Sequence, residues 1–254
     1  MSVKGKVLAT AATLTLVGGA GAAALATAGA ADAATPSCGN SCYDVFSHQF
    51  GTFADPGFVM DSYKQGDQAG TPVILFRTSD SDPAEDFTID DEGLVSEFFA
   101  ANLVSAAVAL HYGCINGGSF GECDGTGQGD YWAYEFMYSP YGVQTGLCVG
   151  VAATAVAGEK VTLQPCGVSG KTVWIADTWG NPGGLISYPL YKYAEPLING
   201  SDTNFSTPYA LTYPASSYPT DTPRPQLYTT NLLGFSTHEL NSNQLWSYDE
   251  GVLP

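Results

Sequence analysis

Basic residues are scarce in this chain: 8 Lys and Arg stand against 25 Asp and Glu, a formal net charge of −17. So acidic a surface repels a phosphate backbone or an anionic bilayer, which excludes nucleic acid and membranes as partners. Histidine is rarer still, and His48, His111 and His238 are scattered along the chain. A His-rich metal centre is therefore not expected. Charged residues reach only 13%, too few for the solvated faces of a helical bundle. Beyond residue 34 no apolar run approaches the about 20 residues that a membrane-spanning helix needs.

What the chain does have is 44% apolar residues, 12% aromatics, 30 Gly, 15 Pro and 15 Tyr in 254 residues. That is the profile of strands and turns, and the length allows one large all-β domain. The N-terminus stands apart. Lys4 and Lys6 precede a weakly apolar stretch from Val7 to Leu25, which leads to Ala31-Asp32-Ala33, a small-x-small cleavage site. The pattern predicts a signal peptide over 1–33, a single domain over 34–254 and a secreted protein.

Six cysteines follow, an even number that implies disulfides in an exported chain. Fifteen connectivities are open to six cysteines. Joining neighbours in order pairs Cys38 with Cys42, Cys114 with Cys123 and Cys148 with Cys166. A zinc site would need a second pair to match Cys38-x-x-x-Cys42, and none is present.

One phrase recurs along the chain. Its first copy reads Phe58-Val59-Met60-Asp61, then Gly70-Thr71-Pro72-Val73-Ile74-Leu75-Phe76, then Glu85-Asp86-Phe87. A second copy reads Leu147-Cys148-Val149-Gly150, then Gly158 to Cys166, then Thr172-Val173-Trp174. The third is looser: Leu197-Ile198-Asn199-Gly200, then Thr207 to Pro214, then Pro225-Gln226-Leu227-Tyr228. Each copy has a strand, a turn, a strand of alternating apolar residues and a closing aromatic. The wide gap between the first and second closing aromatics predicts an insertion at about 100–134, with a Gly-rich loop over 114–130. The run Leu94 to Leu110 fits either helix or strand, and the repeat register favours strand for Leu94 to Phe99.

In these three phrases the sequence resembles the ricin B-chain type of β-trefoil lectin, whose repeats carry a Cys-Leu-Asp strand, a Gly-Thr-Pro-Val-x-Leu-Trp strand and a Gln-x-Trp signature. The closing triplets are read as Glu85-Asp86-Phe87, Thr172-Val173-Trp174 and Gln226-Leu227-Tyr228, so no repeat keeps the signature whole. The resemblance implies a β-trefoil with surface insertions, and it places Cys148 and Cys166 as an intra-repeat disulfide.

The family's sugar site pairs an acid after the first strand with an aromatic plate on the next. A ring face stacks on the sugar's C–H face while the carboxylate accepts hydroxyl hydrogen bonds. The resemblance implies Asp61, Phe76 and Glu85 in unit one, and Asn199 (or Asp202), Tyr213 and Gln226 in unit three. Unit two carries Gly150 and Gln164 instead, so its site is expected to be dead. Competing chemistry is weaker. Gly117-Gly118-Ser119-Phe120-Gly121 has the letters of a nucleophile elbow, but the glycines after it cannot open a helix. Seven acids between Asp80 and Glu92 read as a solvated acidic face rather than as calcium ligands, since they lack the EF-hand spacing.

These readings converge on a secreted, non-catalytic carbohydrate-binding protein with no cofactor and no metal, whose partner is a glycan or polysaccharide. The alternative is a protein-binding or protease-inhibitory β-trefoil scaffold that captures another secreted protein through its loops. Intact-mass analysis of the exported protein is expected to give a start near Ala34 and no thiol that alkylates without reduction. A retained Met1, or a free thiol, would refute the export reading.

Overall fold

Alternation builds the first hairpin. Phe58, Met60, Val73 and Leu75 enter the main core, while Val59, Asp61, Ile74 and Phe76 lie on the opposite face of the same two strands. The computed structural model describes residues 42–47, 57–79, 82–112, 131–168, 170–177, 195–203, 208–214, 225–232 and 241–250. All of them belong to the unit Thr35–Pro254.

Among the described residues, twelve strands fall into three groups of four. Unit one holds β1 (Tyr43–Ser47), β2 (Phe58–Ser62), β3 (Val73–Arg77) and β4 (Phe87–Leu94). Unit two holds β5 (Trp132–Tyr138), β6 (Leu147–Val151), β7 (Val161–Pro165) and β8 (Trp174–Ala176). Unit three holds β9 (Leu197–Asn199), β10 (Tyr209–Thr212), β11 (Tyr228–Asn231) and β12 (Trp246–Glu250). The first and last strand of each unit pair around a ring, β1-β4-β5-β8-β9, and β12 pairs β1. A bridge between Glu195 and Trp246 closes the ring on its other side. The middle strands form hairpins β2-β3, β6-β7 and β10-β11. A six-stranded barrel capped by three hairpins, repeated in threes, is a β-trefoil.

The hairpins hold one another in a cycle. Gly70 N donates to Leu163 O and Leu163 N to Thr71 O, both at 2.8 Å. Val161 N then donates to Leu227 O, and Leu227 N to Val73 O, each at 3.0 Å. Inside lies a core of Val45, Met60, Leu75, Phe87, Phe136, Val149, Leu163, Trp174, Leu211 and Trp246, all buried. Trp174 Nε1 donates to Val149 O at 2.8 Å, and Trp246 Nε1 makes the same bond to Leu211 O at 2.9 Å. A buried indole N–H needs such an acceptor, and here it ties the closing tryptophans of units two and three to their own hairpins.

That equivalence corrects the sequence reading of unit three by one strand. Leu197–Asn199 is not a hairpin strand but the barrel strand β9, between β8 and β10. Tyr228 opens β11, and the closing triplet is Gln244-Leu245-Trp246, an intact Gln-x-Trp. Its Gln ends a 3-10 turn, Ser242–Gln244, as Glu85 ends Pro83–Glu85 in unit one. The alternating pattern was locally correct, but a barrel strand and a hairpin strand have the same period, so the register slipped.

A second correction concerns Leu94 to Phe99. The strand β4 ends at Leu94, and Val95–Ala100 is a helix, α1, followed by α2 (Ala106–His111). Glu97 reaches back to accept from Leu94 N at 2.9 Å, capping α1, and Ser105 Oγ accepts from Val108 N at 3.2 Å, capping α2. Val95, Phe98, Val104 and Val108 form a second core with Ala133, Val173, Ile175 and Ile198, which face outward from the barrel strands.

Cys148 and Cys166 are bonded across the β6-β7 hairpin, at a sequence separation of 18. Cys42 is also disulfide-bonded, while Cys38, Cys114, Cys123 and the glycine-serine motif over 117–121 lie outside the described residues. A loop of this size is worth about 3 kcal/mol by chain entropy. The Cys148→Ser, Cys166→Ser double variant is expected to melt roughly 5–10 °C lower in calorimetry. Peptide mapping that linked Cys148 to another cysteine would refute the register.

Candidate functional site

Superposing the three hairpins by their strand pairing aligns Asp61 with Gly150 and Thr212, and Phe76 with Gln164 and Thr230. The Gln-x-Trp position holds Glu85, Thr172 and Gln244. Each unit thus presents one version of the same three-residue arrangement.

In unit one Asp61 pairs with Ile74 and Val59 with Phe76, so Asp61 and Phe76 share the hairpin face turned away from the main core. Asp61 is 1% exposed, and Phe76 is half-buried. Behind Asp61 runs the 3-10 turn Pro83–Glu85. Asp82 caps it by accepting from Ala84 N at 3.0 Å, with Pro83 fixing the first position, and the same Oδ1 accepts from Gln65 Nε2 at 3.1 Å. The turn delivers the Glu85 carboxyl against Asp61. Carboxylate oxygens of Asp61, Asp82 and Glu85 lie within 4.8 Å of one another. Glu85 Oε2 accepts from Ser79 N at 2.9 Å and from Thr78 Oγ1 at 3.3 Å.

Burial pushes the Glu85 carboxyl up to about 9; the Ser79 N–H opposes that rise, and the nearby charges of Asp44, Asp82 and Asp61 add to it. At neutral pH, with no cation bound, Glu85 therefore carries a proton. A protonated carboxyl offers an O–H donor beside a carbonyl acceptor, one donor fewer than a glutamine amide, so Glu85 can stand where the repeat plan has Gln. Unit three shows what that position does: Gln244 Nε2 donates to Thr212 Oγ1, at the Asp61 position, at 3.1 Å, and to Asn231 O at 3.0 Å.

Unit two is closed by its backbone. A Cβ on Gly150 would sit 2.7 Å from Lys171 O and 2.8 Å from Thr172 Cγ2, so no acid fits there. Thr172 Oγ1 instead donates to the buried Glu135, and Gln164 Nε2 donates to Thr162 Oγ1 at 2.7 Å.

The structure brings Asp61 and Glu85 together and sets Phe76 on the same hairpin, but it does not bring Asn199, Tyr213 and Gln226 together. Asn199 is fully buried; its Nδ2 donates to Lys171 O at 3.0 Å and its Oδ1 accepts from Ser201 N at 3.1 Å. Tyr213 is 2% exposed in the main core, and Gln226 Nε2 donates to Val161 O at 3.1 Å between two hairpins. Asp202, also buried, accepts from Tyr209 N at 3.2 Å. The acidic run divides as well: Asp90, Asp91 and Glu92 are exposed, whereas Glu85 is 4% exposed. Sequence reasoning missed Asp82, Thr212 and Gln244; the letters Gln-x-Trp at 244–246 were the signal for the last.

Solved structures similar to this chain include the designed three-fold symmetric protein ThreeFoil, at TM-score 0.47 and 11% identity over 82% of this chain and 97% of that one. The earthworm lectin C-terminal domain mutant, solved in complex with 6'-sialyllactose, has TM-score 0.41 and 11% identity over 82% and 98%. The Rhizoctonia solani agglutinin has TM-score 0.41 and 12% identity over 82% and 93%. These neighbours are β-trefoil proteins. No family profile and no curated protein sequence matches the chain.

The raised Glu85 has a stability consequence. An acid whose folded pKa lies above its unfolded value stabilises fully below the unfolded value, near 4.5, and that stability is lost as pH rises towards about 9. In chelator, wild-type Tm is expected to fall across this window more steeply than that of Glu85→Gln. The limiting difference is about 1.4 kcal/mol per pH unit, a few degrees of Tm. Parallel curves for the two proteins would refute a protonated Glu85.

Proposed function

We propose that this is an exported, non-catalytic carbohydrate-binding protein whose sugar site is unit one. The observation that carries the reading is the Asp61 carboxylate on the same hairpin face as the half-buried Phe76 ring, with Glu85 packed behind it. A ring and an acceptor on one rigid hairpin supply stacking and hydroxyl recognition in a single place. Units two and three lack the acid, so binding is asymmetric.

A glycan array followed by titration of the best ligand tests this. Asp61→Asn and Phe76→Ala are each expected to weaken binding tenfold or more, about 1.5–3 kcal/mol, with the fold checked by circular dichroism. Gln164→Ala is expected to bind as wild type. Unchanged affinity in both unit-one variants would assign the site elsewhere, and capture of a secreted protein with silence on every glycan would favour the inhibitory scaffold.

A further inference from the structure

The three carboxyl groups of unit one pose a problem that units two and three do not. Asp61 and Glu85 are buried, Asp82 is half-buried, and their oxygens lie within 4.8 Å of one another. Glu85 uses only one oxygen: Oε2 takes the Ser79 and Thr78 donors, while Oε1 is buried with no hydrogen-bond partner. Every donor on Glu85 is neutral. The cations on the same hairpin point elsewhere, Lys64 Nζ lying 5.1 Å from the Tyr63 ring centroid and Arg77 Cζ 5.9 Å from that of Phe58. At the equivalent positions Thr172 is bonded to Glu135 and Gln244 to Thr212 and Asn231, so neither leaves an oxygen or nitrogen to explain.

We propose that unit one holds a calcium ion between Asp61, Asp82 and Glu85. Calcium binds oxygen at about 2.3–2.6 Å, so two ligands on opposite sides of it stand up to roughly 5 Å apart, and the observed spacing falls inside that reach. Magnesium, at about 2.0–2.1 Å in a strict octahedron, suits the cluster less. The ion gives the orphaned Oε1 a partner. With 6–8 positions to fill, calcium keeps sites for water and for hydroxyls of a bound glycan, a last step that rests on unit one being the sugar site.

The test is calorimetric titration of calcium chloride into the chelator-treated protein without glycan, with Tm followed in parallel. One calcium per chain and a rising Tm are expected, with magnesium at equal concentration giving a much smaller shift. Glu85→Gln and Asp82→Asn are each expected to lower calcium affinity at least tenfold; Glu85→Gln puts the repeat's own Gln in place and is expected to fold. No heat and no Tm shift at ten times the about 1 mM upper end of extracellular calcium sites would overturn the proposal. Wild-type affinity in both variants would overturn it too, by moving the ion to the exposed acids Asp90 to Glu92. Glycan binding that persists in chelator without calcium uptake refutes the ion alone, whereas calcium uptake without glycan binding refutes the sugar reading alone.

Discussion

Each hairpin of this chain leaves one edge without a partner inside its own repeat, and the three edges satisfy one another in a ring. Leu163 N donates to Thr71 O, Val161 N to Leu227 O and Leu227 N to Val73 O, backbone bonds that run across the hairpins. An unpaired edge is a liability in water and a cost when buried. The ring removes all three at once, and only with three hairpins present. The closing aromatics complete the constraint from inside: Trp174 and Trp246 each bond the middle carbonyl of their own hairpin, so hairpin and barrel cannot shift independently.

Because this scaffold is held by backbone bonds and a shared apolar core, the outward face of each hairpin is free to diverge. Unit two spent its position on packing, with Gly150 against the Lys171 carbonyl. Unit three kept the Gln and exchanged the acid for Thr212. Unit one went the other way, placing acid on both sides and adding Asp82 from the turn. Three copies of one backbone geometry thus carry three different chemistries, and only unit one concentrates charge.

The same logic governs the insertion between β4 and β5. The barrel strands point Ala133, Val173, Ile175 and Ile198 outward, an apolar surface that a bare barrel would expose. The helices α1 and α2 cover it with Val95, Phe98 and Val108. Ser105 anchors them to unit three, its N–H donating to Gly200 O at 2.8 Å and its hydroxyl to the Asp202 carbonyl. Asp202, the sequence reading's alternative to Asn199 in the unit-three sugar site, is part of that anchorage.

Local pattern was enough for the hairpin strands of units one and two and for Asp61 and Phe76 sharing one hairpin face, because residues close in sequence and alternating with period two are placed by the hairpin itself, while the Cys148–Cys166 bond followed from the family resemblance. It was not enough for unit three, where β9 and β10 have the same alternation and only pairing with β8 tells a barrel strand from a hairpin strand. Nor could it foresee that Asn199 and Tyr213 are buried, or that Glu85 is buried while Asp90 to Glu92 stay exposed as the reading of a solvated acidic face expects, since burial depends on which neighbours arrive from other segments. The sequence by itself determined a three-fold β architecture and which repeat carries the acids; tertiary structure alone decided that Asp61, Asp82 and Glu85 meet. Those three sit on β2 and on the 3-10 turn after β3, and only the folding of that turn back against β2 brings their carboxyls into one low-dielectric space.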